Sequence, residues 1–595
     1  MKILALSTAI AAAFAALASA SPIKGHKKLA VKGLENIQHI VYFMQENRAF
    51  DNYYGTMAGV RGFKDPNVAI QSNGTPFSTI QIPTHQMHLL PFRLSGNKAG
   101  CTAGGSNGWE PNHLAWNNGS NNNWPQGNSP HALGYLTREE IPFQFQLAEE
   151  FTIADMYFQS VMSSTNPNRV MWMSGTIQGP PGNTILEDNT ESTPLGWSTF
   201  PQALTTAGVS WQVYQDTDNF DDNALAWFKH WQSLPNGTEK QKGLGFLGLQ
   251  DFYDHAGNGT LPTISYIVGP TELSEHPDST PMAGAWLQEQ VVNAVMNSPQ
   301  WNTTALFINY DESGGYFDHV IPVTPPKGDP AEEWVPDKFN NGALAPIGTG
   351  HRVPMVVVSP WTRGGNVFTE VSDHTSTLRF LEQYFGTNST GGYKVPAENL
   401  SQWRRSTFGD LTGIFDFENH DYSVPQLMTV PKPAQTSSGA WDPTEMCENL
   451  PGSKVSMPYG NQSFPPTEIG AKKIRGAITL GRTLIFQSGK SAVQANSSTA
   501  SVGSYGTTNK NAFFTLEQAS SGTFYIKSVA TGTCLTVSGN QVALGACSGA
   551  GWTINYVSAG SGYTLQKRDH YLNINGRALS VSSRAQNFII SSVTY

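Results

Sequence analysis

Ala305-Leu306-Phe307-Ile308-Asn309-Tyr310-Asp311-Glu312-Ser313-Gly314-Gly315-Tyr316-Phe317-Asp318-His319-Val320 is the stretch on which the fold turns. A short, largely apolar run without helical period predicts a strand buried on both faces, here ending in two acids and two glycines. The same layout occurs at Ile37-Gln38-His39-Ile40-Val41-Tyr42-Phe43-Met44, which runs into Gln45-Glu46-Asn47-Arg48-Ala49-Phe50-Asp51-Asn52-Tyr53-Tyr54-Gly55. A third apolar run, Val353 to Ser359, stops at Pro360-Trp361. Helical segments at Ala285–Met296 and Thr375–Tyr384 alternate with these runs, which predicts an α/β sheet. Polar ligands in such sheets sit where strands end, so Glu46/Asn47 and Asp311/Glu312 are expected to converge on one site. Their hard oxygen donors suit one divalent cation and disfavour a thiolate site. For either pair taken alone, a solvated turn is an equal alternative.

Ser163-Ser164-Thr165-Asn166-Pro167-Asn168-Arg169 supplies a hydroxyl cluster followed by an arginine. A hydroxyl beside a divalent cation loses its proton more readily and can attack phosphorus. Arg169 offers a planar fork suited to non-bridging phosphate oxygens. The competing reading is a capped turn, since Ser, Thr and Asn-Pro favour turns. His113, in Asn112-His113-Leu114-Ala115-Trp116, and His276, in Ser274-Glu275-His276-Pro277, are candidates to protonate a leaving alkoxide or to hydrogen-bond phosphate.

The whole chain has 595 residues, a formal charge of −9 and 14% charged residues. Its 39% hydrophobic content and 15 Trp need a large core, which excludes a disordered or coiled-coil protein. The charge gives no support to a nucleic-acid partner. Residues 1–20 have one basic residue, an Ala-rich apolar run and Ala18-Ser19-Ala20, the pattern of a secretory signal peptide. Export is also suggested by sequons at Asn73, Asn118, Asn236, Asn258, Asn302, Asn388, Asn399, Asn461 and Asn496. Four cysteines fit two disulfides: Cys534–Cys547 are close enough to staple a hairpin, leaving Cys101–Cys447 by elimination. The expectation is a secreted glycoprotein, extracellular or cell-wall associated.

A Pro-, Ser- and Gly-rich segment at 431–466 marks a boundary between a body at 21–430 and a tail at 467–595. The tail has eleven Lys or Arg against Glu468, Glu517 and Asp569, or +8, and residues 21–466 stand at −18. The tail reads as short strands and repeats: FTLEQASSGTFYI from Phe514 is echoed by WTINYVSAGSGYTL from Trp552. With a degenerate unit before these two, a three-fold β-trefoil is expected; a small β-sandwich is the alternative. Thr531-Gly532-Thr533-Cys534-Leu535 and Ala546-Cys547…Trp552 resemble ricin-B-type lectin repeats, although a Gln-x-Trp signature is absent. The basic charge favours an anionic membrane surface, and the lectin likeness a glycan, as partners of the tail.

Taken together, Glu46-Asn47-Arg48-Ala49-Phe50-Asp51…Gly55, Thr165-Asn166-Pro167-Asn168-Arg169, Glu275-His276-Pro277, Asp311-Glu312…Gly315…Asp318-His319-Val320, Gly350-His351-Arg352-Val353-Pro354 and Asp373-His374-Thr375-Ser376 resemble the phosphoesterase family. That family comprises non-specific phospholipases C and acid phosphatases of the alkaline-phosphatase superfamily. The resemblance implies an alkaline-phosphatase-like sandwich around a central, largely parallel sheet. It implies Glu46, Asn47, Asp311 and Glu312 as metal ligands and Thr165 as nucleophile, with Ser163 and Ser164 adjacent. His113 and His276 would contact phosphate or the leaving group, and Asp318, His319, Asp373 and His374 would support the site. It also implies a phospholipase C that releases diacylglycerol through a phospho-enzyme. Fungal-type members of this kind prefer phosphatidylglycerol. A secreted acid phosphatase is the runner-up, and a surface or carbohydrate-binding protein with a vestigial catalytic body is the third reading. A diester enzyme needs a large apolar pocket mouth, for which Trp109, Trp116, Trp124 and Trp172 are candidates.

Overall fold

The structure is a computed structural model describing residues 32–595 except 71–79, 83–86, 179–183, 190, 278, 328–332, 388–394, 443–446, 448–454, 461, 498 and 558–561. The signal segment at 1–20 and the sequons Asn73, Asn388 and Asn461 lie outside the described residues.

The apolar runs form the middle of one sheet. Its strands are β1 (His39–Gln45), β2 (Thr152–Ala154), β3 (Trp211–Tyr214), β4 (Ile264–Ile267), β5 (Thr304–Tyr310), β6 (Met355–Val358), β7 (Val367–Phe368) and β8 (Gly470–Arg475). Their order across the sheet is β3-β4-β1-β5-β6-β2-β7-β8, and only β6 runs antiparallel to its neighbours. The sheet is therefore largely parallel, as expected. Ile40 to Met44 and Thr304 to Tyr310 are buried throughout, which is why these segments lack alternation. Tyr42 stacks on Tyr266 and Phe307 from the flanking strands. β1 and β5 pair in parallel with Gln45 opposite Tyr310, so Glu46 and Asp311 leave the sheet side by side.

Helices flank this sheet: α1 (Phe50–Tyr54), α2 (Trp109–Trp116), α3 (Pro142–Glu150), α4 (Thr165–Ser174), α5 (Pro281–Met296), α6 (His374–Thr387) and α7 (Gln402–Thr407). Helix α5 opens at Thr280, whose hydroxyl accepts the Ala283 N–H, with Pro281 at its first position.

The tail contributes β8 and twelve further strands: β9 (Thr483–Ser488), β10 (Ser491–Asn496), β11 (Thr499–Ser504), β12 (Phe514–Ser520), β13 (Thr523–Ser528), β14 (Cys534–Ser538), β15 (Gln541–Gly545), β16 (Thr553–Val557), β17 (Gly562–Lys567), β18 (His570–Asn575), β19 (Ala578–Ser582) and β20 (Ile589–Thr594). Strands β20, β9, β12, β13, β16 and β17 are joined in a ring, closed by a bridge between Tyr563 and Phe588. The hairpins β10–β11, β14–β15 and β18–β19 stand on it. Three four-stranded units around a six-stranded ring make this a β-trefoil. The two matching sequence segments are the last strand of one unit and the first of the next. The third copy does not precede them as a degenerate unit; it is divided between β20 and β9 at the two ends of the domain.

Both expected disulfides form, Cys101–Cys447 and Cys534–Cys547. The tail's charge turns inward. Arg475 pairs with Asp416 at 3.0 Å, Arg482 with Asp155 at 3.1 Å, and the Lys472 amine donates to the Ala148 and Gly365 carbonyls. In the other direction Arg138 of the body holds Glu468 at 2.8 Å. The +8 of the tail is thus partly answered by the acidic body. β8 also pairs with both β7 of the body and β20 of the trefoil, so one hydrogen-bonded sheet crosses the domain boundary.

Candidate active site

Glu46 and Asn47 follow β1, and Asp311 and Glu312 follow β5; all four are buried. Gly314 lets the two loops meet: its φ is +61°, and a side chain there would run into the Asn47 carbonyl. The Gly314 N–H donates to Glu312 Oε2 at 2.6 Å, and Asn107 Nδ2 donates to Glu312 Oε1 at 2.8 Å. Arg169, one turn along α4 from Thr165, points its guanidinium into the group. It lies 3.3 Å from Glu46 Oε1, 3.3 Å from Asp311 Oδ2 and 2.8 Å from Asp222 Oδ2.

Three buried carboxylates therefore face one guanidinium, and Glu312 adds a fourth negative group next to Asp311. Burial and mutual repulsion hold Glu46, Asp311 and Glu312 well above the usual carboxylate range. Asp222 is pushed up by burial, opposed by Arg169, to about 7. Among the described residues, Glu46 Oε2 and Asn47 Oδ1 are buried without a hydrogen-bond partner. Unpartnered oxygens and uncompensated negative charge in a dry site are what a hard divalent cation relieves, so the residues fit one.

Thr165 begins α4, a helix whose N-cap Ser164 makes no side-chain cap. Ser164 Oγ donates instead to Asp188 Oδ1 at 3.1 Å, and Ser163 Oγ to the Leu186 carbonyl. The Thr165 side chain is half-buried and shares a helix face with Arg169, since residues four apart lie one above the other.

The two histidines sit in different settings. His113 Nδ1 lies 2.8 Å from the Trp109 carbonyl, one turn back on α2, and Nε2 lies 3.0 Å from the Pro346 carbonyl. Its ring stacks on Trp109, and burial lowers its pKa. Both nitrogens thus face backbone, and the structure does not bring them to the carboxylates. The His276 ring packs edge-on against Phe220, two residues before Asp222. Glu275 sits at a left-handed φ of 74° and is fully buried. Its carboxylate accepts from Tyr53, from Tyr310 at 2.9 Å and from Gln288 at 2.6 Å, which fixes the loop bearing His276. Burial raises Glu275 to about 7.

The remaining residues buttress the ligand loops. His374 Nε2 lies 2.6 Å from the Asp311 carbonyl and Nδ1 lies 2.9 Å from Tyr157 Oη. Asp373 accepts from Ser160 at 2.8 Å and pairs with Arg404 at 2.5 Å. Asp318 pairs with Arg352 at 3.0 Å. His319 Nδ1 lies 2.6 Å from Asp51 Oδ2 and Nε2 lies 3.2 Å from Asp65 Oδ2. Asp51, Asp318 and His319 can bring ligand atoms within 4.8 Å of one another, but Arg352, bound to both aspartates, already supplies the cation there. Asp222 and Asn107 were not signalled by any motif; they reach the cluster through loops distant in sequence. Trp109, Trp116, Trp124 and Trp172 are all buried and form core, not an open apolar mouth.

His319 gives a pH expectation. Burial opposes its charge, but Asp51 and Asp65 on its two nitrogens outweigh this and raise its pKa from 6.5 to about 9. The stabilisation is complete below about pH 6.5 and is lost as pH rises through 9, amounting to about 3 kcal/mol. His319→Gln is expected to be less stable than wild type at pH 6 and to flatten the fall between pH 7 and 9.5. Urea unfolding across that range checks it; an unchanged slope would remove His319 as the cause.

A family model described as the Phosphoesterase family matches residues 37–388, from just before β1 to the end of α6. Over 480 residues the chain is 37% identical to the non-hemolytic phospholipase C of Burkholderia pseudomallei, covering 74% of this chain and 66% of that protein. It is 34% identical to the hemolytic phospholipase C of Pseudomonas aeruginosa, covering 75% and 67%. It is 35% identical to phospholipase C B of Mycobacterium tuberculosis, covering 76% and 90%. The chain thus spans about two thirds of the length of the Burkholderia and Pseudomonas relatives. The matched segment carries β1 and β5, with the acids at their ends, and α4, and on that ground the chain belongs to the Phosphoesterase family.

Proposed function

We propose that the chain is a phospholipase C that cleaves glycerophospholipids to diacylglycerol and a phosphorylated headgroup. The observation that carries this reading is the convergence of Glu46, Asn47, Asp311 and Glu312, with Arg169 of α4 reaching Glu46 and Asp311 and two buried oxygens left unpartnered. The relatives' names support the substrate class. A divalent cation held by those four residues supplies positive charge that favours an ionised hydroxyl and a phosphate oxyanion.

Thr165 gives up its hydroxyl proton to solvent, its Oγ1 attacks phosphorus, the bond to the diacylglycerol oxygen breaks, and that oxygen takes a proton. Of the two histidines, His276 is the better supported donor, since Phe220 beside it lies in the loop of Asp222. Water then hydrolyses the phospho-threonine and restores the hydroxyl. The uncapped N-terminus of α4 favours the phosphate's negative charge throughout. Arg169 holds the carboxylates apart and in register, with Nη1 its one unpartnered nitrogen.

A specific feature favours lipid over a soluble monoester. Leu114 on α2 and Phe339 and Leu344 on the hairpin that touches His113 are exposed at 47%, 39% and 51%. Large exposed apolar side chains on two elements joined by the His113–Pro346 contact are the basis for reading an interaction surface here. Leu114→Asp with Leu344→Asp is expected to lower turnover on vesicles about tenfold while leaving a soluble phosphodiester unaffected. Equal loss on both would refute a lipid-facing rim.

Export belongs to the same proposal. It is supported by residues 1–20, by the two disulfides and by the exposure of Asn118, Asn236, Asn258 and Asn302. Asn399 is half-buried, and its amide donates to the Ser174 and Ser198 carbonyls. The test of the whole reading compares release of diacylglycerol from phosphatidylglycerol and phosphatidylcholine with hydrolysis of p-nitrophenyl phosphate, with and without chelator. Chelator-sensitive diacylglycerol release supports it and ranks the headgroups. Hydrolysis of the monoester alone transfers the chain to the acid phosphatases, and no hydrolysis at all favours a vestigial body.

A further inference from the structure

We propose that Arg482, a residue of the trefoil, is a positioning residue for the carboxylate site of the body, acting through a closed set of buried ion pairs. This rests on the reading of Glu46, Asn47, Asp311 and Glu312 as cation ligands.

The path is continuous. Arg482 grips both oxygens of Asp155, at 3.2 and 3.1 Å. Asp155 Oδ2 also accepts the Arg61 N–H at 2.7 Å, and its carbonyl accepts from Arg352 at 2.8 Å. Arg61 pairs with Asp65 at 2.7 Å, and Asp65 and Asp51 hold the two nitrogens of His319. Arg352 joins Asp51 to Asp318, each at 3.0 Å. Two segments leave this set and end in ligands. Asp51 lies on α1, directly after Glu46 and Asn47, and the Phe50 N–H donates to the Arg352 carbonyl at 2.9 Å. Asp318 and His319 end the loop that begins at Asp311 and Glu312.

Charge makes Arg482 more than a contact. The set holds four aspartates (Asp51, Asp65, Asp155 and Asp318) against Arg61, His319, Arg352 and Arg482. Asp155 is fully buried, and the side chain of Arg61 is engaged by Asp65. Without Arg482 the set has one more negative than positive charge, and the carboxylate that loses its partner, Asp155, is fully buried. A buried carboxylate in that state recruits the nearest cation, and Arg352 is already bonded to its carbonyl. Arg352 moving toward Asp155 releases Asp51 and Asp318, the anchors of both ligand loops.

The test uses the full chain, stripped of metal and titrated calorimetrically with Ca2+, Mg2+, Mn2+ and Zn2+ in turn. Thermal unfolding is measured alongside. Arg482→Met is expected to raise the Kd for the bound ion about tenfold, the low end of what losing a supporting hydrogen bond costs a metal site. The control is Arg475→Met, which breaks another of the tail's ties to the body, at Asp416, but lies outside the set. It is expected to lower Tm with its Kd within twofold of wild type. Arg482→Lys, which keeps the charge but loses the fork, is expected to fall between wild type and Arg482→Met. Equal Kd values for wild type and Arg482→Met would overturn the proposal, as would equal weakening by Arg475→Met. If Arg482→Met does not fold, an unchanged Kd in Arg482→Lys overturns it and a raised one supports it. Wild type that binds none of the ions refutes the ligand reading itself, and the proposal with it.

Discussion

Thr165→Ala is expected to lower kcat for diacylglycerol release about 10⁴-fold or more while leaving the Tm within a few degrees of wild type. Nucleophile and supporting groups act as one unit, so losing the attacking atom removes most of the rate enhancement at once. The fold has little stake in this hydroxyl: Thr165 is half-buried at a helix start, and Ser163 and Ser164 carry the local hydrogen bonds to Leu186 and Asp188. The same geometry gives an internal control. Ser164→Ala loses one hydrogen bond to Asp188, worth about 1 kcal/mol of stability, and should keep most of its activity. Thr165→Ser keeps a hydroxyl at the same backbone position and should recover much of the rate. Single-turnover assays on phosphatidylglycerol vesicles measure all three. Full activity in Thr165→Ala, with loss in Ser164→Ala, would move the nucleophile one residue back.

Glu46→Gln is expected to lower kcat about 10³-fold or more and to change stability in opposite directions depending on metal. In chelator, the substitution removes one of three buried carboxylates that share a single guanidinium, so Tm should rise. In saturating divalent ion, wild type gains stability by mass action, about 2.7 kcal/mol at a hundred times Kd, and the variant should gain much less. Thermal scans with and without metal therefore cross. Asp311→Asn should behave alike, although its second oxygen also accepts the Glu312 N–H at 2.7 Å. A variant less stable than wild type in chelator would mean that the carboxylate serves the fold and not a cation.

How much was legible in advance follows from the range of each interaction. The strand ends at Glu46/Asn47 and Asp311/Glu312 were readable because burial on both faces leaves unbroken apolar runs with polar stops. Parallel pairing of β1 and β5 then brought them together. The trefoil announced itself through one repeated strand–turn–strand. Its third copy stayed hidden because the chain is cut there, with β20 at one end and β9 at the other. Asp222, Asn107 and Arg482 obey no spacing rule, since each reaches its partner through a loop or another domain. His113 has a local setting that no motif foretells: on a helix its ring nitrogen finds the carbonyl four residues back. The tryptophans followed the ordinary rule for aromatic residues and went to the core.

β8 has a further consequence for the life of the chain in solution. Without it, β7 would be the rim of the central sheet, and Val367–Phe368 would present an unsatisfied apolar edge. Such rims recruit strands from other molecules and seed aggregates. The trefoil is thus a stopper that travels with the protein. Proteolysis between the domains would leave a sticky remnant in place of a smaller enzyme.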